Sequence, residues 1–218
     1  MTLAAAGGAI AAWYGLDAWR RQLAGRADYD AAVGLLRATY RMRNAIRRVR
    51  APMMFASEEA HALKTQGIAA TGDVGKDYLA GIEAAYTERW KAIGEAGADL
   101  DVAALEAEVL WGAQGPAATW PLRVCVLDLN WALGYYLAER RQSRADEATR
   151  KLSEKAFGIV YYLGDDPELD PFSAKVNGAV TQAETLLRPK IEEYHRNRPW
   201  PWRRPPSPLP RPDAPPTA

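Results

Sequence analysis

The chain has 218 residues and a mass of 24.0 kDa, with 48% hydrophobic and 25% charged side chains and a formal net charge of +1. That is enough length for one domain with its own core, and the near-neutral balance argues against a surface that binds polyanions throughout. One cysteine, Cys125, excludes an internal disulfide, and two distant histidines, His61 and His195, leave no local Cys/His cluster for a zinc finger or an HExxH helix.

Charge is unevenly spread. Lys and Arg outnumber Asp and Glu nine to three over residues 1–50 and five to one over 196–218, whereas acids lead eleven to four over 51–115. A basic segment followed by an acidic one reads either as intramolecular pairing or as two surfaces for two partners.

From Met1 to Leu16 there is no charged side chain, and the run ends at Asp17, Trp19, Arg20, Arg21 and Arg26. The pattern is that of a short single-pass anchor over residues 1–22 with an aromatic and basic flank. By the positive-inside rule it places the protein in the inner, cytoplasmic membrane with residues 20–218 on the cytoplasmic side. Sixteen helical residues span roughly 24 Å, short of the roughly 30 Å hydrocarbon layer, so the anchor reading competes with an Ala-rich helix end outside any membrane. A cleaved signal peptide fits less well, because no Lys or Arg precedes the apolar run.

Residues 23–195 read as an all-α helical bundle. No proline interrupts residues 1–51, and Ala32, Leu35, Thr39, Met42, Ile46 and Val49 repeat at spacings of three and four. This predicts one long N-terminal helix with a coiled-coil-like seam, ending before Pro52. Arg37, Arg41, Arg43, Arg47, Arg48 and Arg50 are assigned to its outer face. They form a candidate surface for acidic side chains, those of a partner or of the chain itself at Glu58, Glu59, Glu83 and Glu88, or for anionic lipid, with nucleic acid less favoured because these polyanions are nearer.

Ser57-Glu58-Glu59 predicts a short helix to about Gly67. After the Thr71-Gly72-Asp73 turn signal, Leu79, Ile82, Tyr86, Trp90 and Ile93 predict a helix over 74–95, and Asp101 a separate one ending at Gly112. Residues 112–121 read as a connector, with Thr119 as cap and Pro121 in the first turn of the next helix. That helix has the broadest apolar stripe: Leu122, Cys125, Val126, Leu129, Leu133, Tyr136 and Leu137. Further helices are expected over 145–163 and through Val176, Val180, Ala183 and Leu187, with Pro189 ending or kinking the last. Asp166-Pro167 and Asp170-Pro171 both read as a cap followed by proline at the first helical position, which explains most of the acidic cluster at 165–170 without a cation.

The last 23 residues hold nine prolines and five arginines and predict a disordered or polyproline II tail, in which Trp200 and Trp202 are candidate contacts for a membrane surface or an aromatic groove. No GxSxG, HExxH, Walker or GxGxxG stretch occurs, and Cys125 lies on an apolar stripe. Glu83, Glu88, Glu106 and Glu108 lack the Glu-x-x-His spacing of di-metal bundles. The expectation is a membrane-tethered, non-catalytic interaction or scaffolding module without a cofactor. A nucleic-acid binder using the Arg37–Arg50 face is the alternative.

Overall fold

A computed structural model describes residues 2–141, 147–164 and 166–196, and among these the chain forms six helices and no strand: α1 Thr2–Val49, α2 Ala56–Thr65, α3 Val74–Trp111, α4 Gln114–Arg141, α5 Glu147–Val160 and α6 Pro171–Arg196. Helices α1, α3, α4 and α6 make a four-helix bundle in which each packs on its two ring neighbours, in the order α1, α3, α4, α6. Neighbours are antiparallel. Asp28 and Arg41 of α1 meet Trp111 and Asp99 of α3, while Tyr29 and Tyr40 of α1 meet Tyr194 and Glu184 of α6. Helix α2 lies on α3, and α5 on α4.

The α1 seam is buried at all six positions, from Ala32 to Val49. Thr39 is the polar member, and its hydroxyl donates to the Leu35 carbonyl at 2.8 Å, so its burial leaves no unmet donor. The seam faces Ile82, Tyr86, Ile93, Ala96 and Leu100 of α3 and Val176, Val180, Ala183 and Leu187 of α6. Across the ring, α4 contributes Leu122, Cys125, Leu129, Leu133 and Tyr136, with Val126 and Leu137 half-buried at the edge.

The expected break between 95 and 101 does not occur: α3 runs through it. Gly94 and Gly97 weaken a helix without forbidding it, and Ala96, Leu100, Ala103, Ala104 and Ala107 continue one buried stripe across the junction. Asp101 spends its carboxylate on Arg123 of α4 at 2.5 Å rather than on a cap. The true caps of α3 are Asp73, which accepts from the amides of Gly75 and Lys76, and Gly112 at φ 61°.

The connector expected over 112–121 shrinks to Gly112 and Ala113. Thr119 and Pro121 lie inside α4, and the Thr119 hydroxyl bonds to the Pro116 carbonyl. Such a short corner brings α4 against the end of α3, and a Cβ added at Gly115 would stand 2.8 Å from backbone and side-chain atoms of Ala107 and from the Glu108 nitrogen. Only glycine fits there. Helix α2 starts one residue before Ser57, with Phe55 at the cap position and no side-chain cap. Asp170-Pro171 opens α6 as expected, whereas Asp166-Pro167 makes a single turn, and Pro189 is absorbed within α6.

No helix among the described residues is long and apolar enough to cross a membrane, which overturns the expected anchor and with it the single-pass inner-membrane placement. Alanine and glycine dominate the sixteen uncharged residues, and Asp17, Arg20 and Arg21 interrupt before a bilayer's thickness is reached. The expected disordered tail lies outside the described residues.

Gly115→Ala is expected to lower the stability of the folded chain by about 1–3 kcal/mol despite alanine's better helix propensity, because the clash is with backbone that has nowhere to move. Urea denaturation followed by far-UV circular dichroism measures it.

Candidate interaction surfaces

The six arginines of α1 do not share one outer face. Arg50 is the sharpest correction: its side chain is 1% exposed, because it falls four residues after Ile46 on the buried stripe and turns into the end of the bundle. There its Nε donates to the Ile159 carbonyl at 2.6 Å and its Nη1 to Ser173 Oγ at 2.6 Å. Its Nη2 faces the Tyr161 carbonyl at 2.7 Å and both oxygens of Asp170 at 2.9 and 3.0 Å. The Phe172 ring lies 4.8 Å from the guanidinium carbon. Asp170 in turn accepts from the amides of Ser173 and Leu163 and from the Ser173 hydroxyl. Burial by itself pushes the Asp170 carboxyl up. The bonds from Arg50, the two amides and the hydroxyl outweigh it and hold the carboxyl below the usual carboxylate range.

A second buried arginine, Arg89 of α3, does the same for the α1–α2 connection. It donates to the carbonyls of Ala51 at 2.8 Å and Met53 at 2.7 Å, and pairs bidentately with Glu58 at 2.6 and 2.9 Å. These bonds hold the Glu58 carboxyl below its ordinary range. The periodicity puts Trp90 on the α3 stripe, but Arg89 is the buried member and Trp90 lies half-buried beside it. The signal was there: 82, 86, 89 and 93 keep helical spacing, with a charge on the apolar line.

The other arginines lie outward but do not converge. Arg41 is tied to Asp99 at 2.5 Å, Arg43 bonds to Asn44 and lies over the Tyr40 ring, Arg47 is half-buried, and Arg37 and Arg48 are exposed. Arg37 and Arg41 line a shallow groove between α1 and α3 with Gly34, Asp99, Val102 and Glu106. A carboxylate stands beside the basic side chains in this groove, so its field is mixed. Trp200 and Trp202 lie outside the described residues.

Groups with catalytic chemistry are dispersed. Glu83 bonds to Arg141 and Glu88 to Lys91 and Gln66, Glu106 and Glu108 are exposed, and no group of three or more His, Cys, Asp or Glu placed to hold a metal occurs among the described residues. Burial pushes the Cys125 thiol up, and burial likewise raises the phenols of Tyr86 and Tyr136. His61 is exposed on α2, and His195 lies edge-on to Tyr29.

What the surface does hold is exposed apolar side chains in register. On α4, Trp120, Leu127 and Trp131 are 60%, 53% and 65% exposed, with half-buried Val124 between them. Spacings of four, three and four put all of them on the side opposite the core stripe. Ion pairs border the row, Arg123–Asp101 towards α3 and Lys175–Asp128 towards α6. On α3, Val102, Leu105 and Val109 form a second outward row.

Comparison with known proteins finds no family model, no curated protein and no solved structure that matches the chain.

Arg50→Met is expected to cost about 3–5 kcal/mol, since it strands a buried carboxylate along with the carbonyls that Arg50 serves. Urea midpoints with an unchanged slope measure it. The pH dependence follows from Asp170 and Glu58. Both ionise more readily folded than unfolded, so their stabilising contribution is complete above the unfolded carboxylate range, about 3.9 to 4.3, and is lost as pH falls through the lower folded values. Acid titration of the thermal midpoint is expected to fall less steeply below pH ~4 in Arg50→Met than in the parent chain.

Proposed function

We propose that the chain is a non-catalytic interaction module: a rigid helical bundle that holds a segment of another protein against the outward face of α4. The observation that supports this best is the row Trp120, Val124, Leu127 and Trp131, because a row of large apolar side chains at coiled-coil spacing on a helix already packed on its other side has the form of a docking seam. Tryptophan is among the side chains that contribute most when an interface closes over them, and Tyr135, stacked on Trp131 at 5.9 Å, extends the platform. The bordering ion pairs set a polar rim of the kind that protein interfaces carry.

The nucleic-acid alternative has less support. Of the α1 arginines proposed to carry it, Arg50 is buried and Arg41 is neutralised by Asp99, which leaves a short and mixed basic surface.

A photo-crosslinking side chain at Trp131, introduced in the producing cells, is expected to give adducts with another protein that weaken when Trp120→Gln is added. The same probe at Lys64 on exposed α2 is expected to give none of them. Identical adducts from both positions would sink the proposal. So would retention of DNA or RNA by the purified chain above about 0.2 M salt, where nonspecific phosphate contacts are weak.

A further inference from the structure

Helix α1 is longer than the bundle that it belongs to. The Trp111 indole donates to Asp28 at 2.7 Å, so α3 ends level with residue 28 of α1; Tyr194, near the end of α6, stacks on Tyr29 at 4.5 Å and reaches Gly25. Residues 2–24 therefore run on past the ends of both neighbours for roughly 35 Å. Along this arm Trp13, Leu16, Trp19 and Leu23 are 72%, 44%, 58% and 49% exposed. A helix of that length standing alone is marginal in water, and the described side chains of this arm include large exposed apolar ones.

The outward row of α3 has matching spacing. Leu16, Trp19 and Leu23 are spaced three and four apart, and so are Val102, Leu105 and Val109. The lengths also agree. The arm's row begins about 8 Å beyond the level of Trp111 and Asp28, and the α3 row begins about 3 Å short of it, so a two-fold axis across the helices near this level lays each arm along the partner's α3.

Charge selects this pairing from the alternatives. Beside the α3 row Asp99 is tied to Arg41 and Asp101 to Arg123, and Glu106 and Glu108 lie exposed on either side of it near the end where an arm would enter. The arm presents the exposed Arg20, and at its root Arg26 pairs with Asp30. Two α3 rows face to face set Glu106 and Glu108 against their copies, and two arms side by side set Arg20 against Arg20; an arm on α3 brings Arg20 towards Glu106 and Glu108.

We infer that the chain forms a symmetric dimer in which the N-terminal arm of each copy, through Leu16, Trp19 and Leu23, docks on Val102, Leu105 and Val109 of the other. The contact is made twice by symmetry and uses neither α4 nor its tryptophans. It therefore stands or falls separately from the reading of that face.

Sedimentation equilibrium of the full chain tests this. The expected result is a dimer whose dissociation constant rises roughly thirtyfold or more in Leu105→Glu/Val109→Glu and, separately, in Leu16→Glu/Leu23→Glu, as loss of a central apolar anchor would give. Both pairs are exposed, and circular dichroism is expected to show the bundle's unfolding midpoint retained. In a Cys125→Ala background, oxidising a mixture of Trp19→Cys and Leu105→Cys chains is expected to yield the mixed disulfide in excess of either homodimer. A chain that stays monomeric at about 0.1 mM, a dimer indifferent to the α3 substitutions, preferential Trp19→Cys homodimers, or a dimer lost when the chain is cut after Arg196 would each overturn the inference.

Discussion

Two buried guanidinium groups hold the closed end of this bundle, and the rest of the structure depends on what they satisfy. A helix ends with carbonyls that no amide of its own reaches, and a bundle that buries such an end must supply donors from elsewhere. Arg50, one residue past α1, serves the carbonyls of Gly158, Ile159 and Tyr161 where α5 runs out. Arg89, in the middle of α3, serves Ala51 and Met53 just beyond α1. Each brings a carboxylate to balance its charge, Asp170 and Glu58. Cations belong at the negative ends of helices, so field and hydrogen bonding act in the same direction. No buried side-chain nitrogen or oxygen among the described residues lacks a partner.

The two ends of the molecule consequently differ in kind. At one end, side chains, turn carbonyls and caps are tied into a polar cluster under an apolar core. At the other, α3 turns into α4 through a two-residue corner, α6 ends beside Tyr29, and α1 simply continues. Along the middle, Arg41–Asp99 joins the basic first segment to the acidic second one by an ion pair.

How much of this could be read in advance depends on how local its cause is. The α1 seam was legible because burial on a long helix leaves a period of three and four, and every seam residue proved buried. Gly112 and Asp170 were legible because a cap acts on the few residues beside it, whereas Asp73 reads in the sequence as part of a turn signal and proves to cap α3. The continuity of α3 through Gly94 and Gly97 was not, since local propensity argues for a break and it is packing against Met42 and Leu100's neighbours that carries the helix across. Arg50 was hidden by its company. In a run of surface arginines nothing local marks the one whose partner lies 120 residues away, although its place four residues after Ile46 and Asp170's place before a proline are both in the sequence. The outward rows on α3 and α4 escaped for the opposite reason, because alternating apolar stripes on two sides of a helix blur into general hydrophobicity.

The Arg50–Asp170 pair also sets an order of events during synthesis. At about 5–20 residues per second, the 120 residues between the two take roughly 6–24 s to make. During that interval α3 and α4 are added behind α1, while the guanidinium at the end of α1 has no Asp170 carboxylate to meet. The end of the bundle that is most tightly bonded once complete thus stays open until α6 begins, and the Tyr29–Tyr194 contact at the other end follows only when α6 is nearly finished.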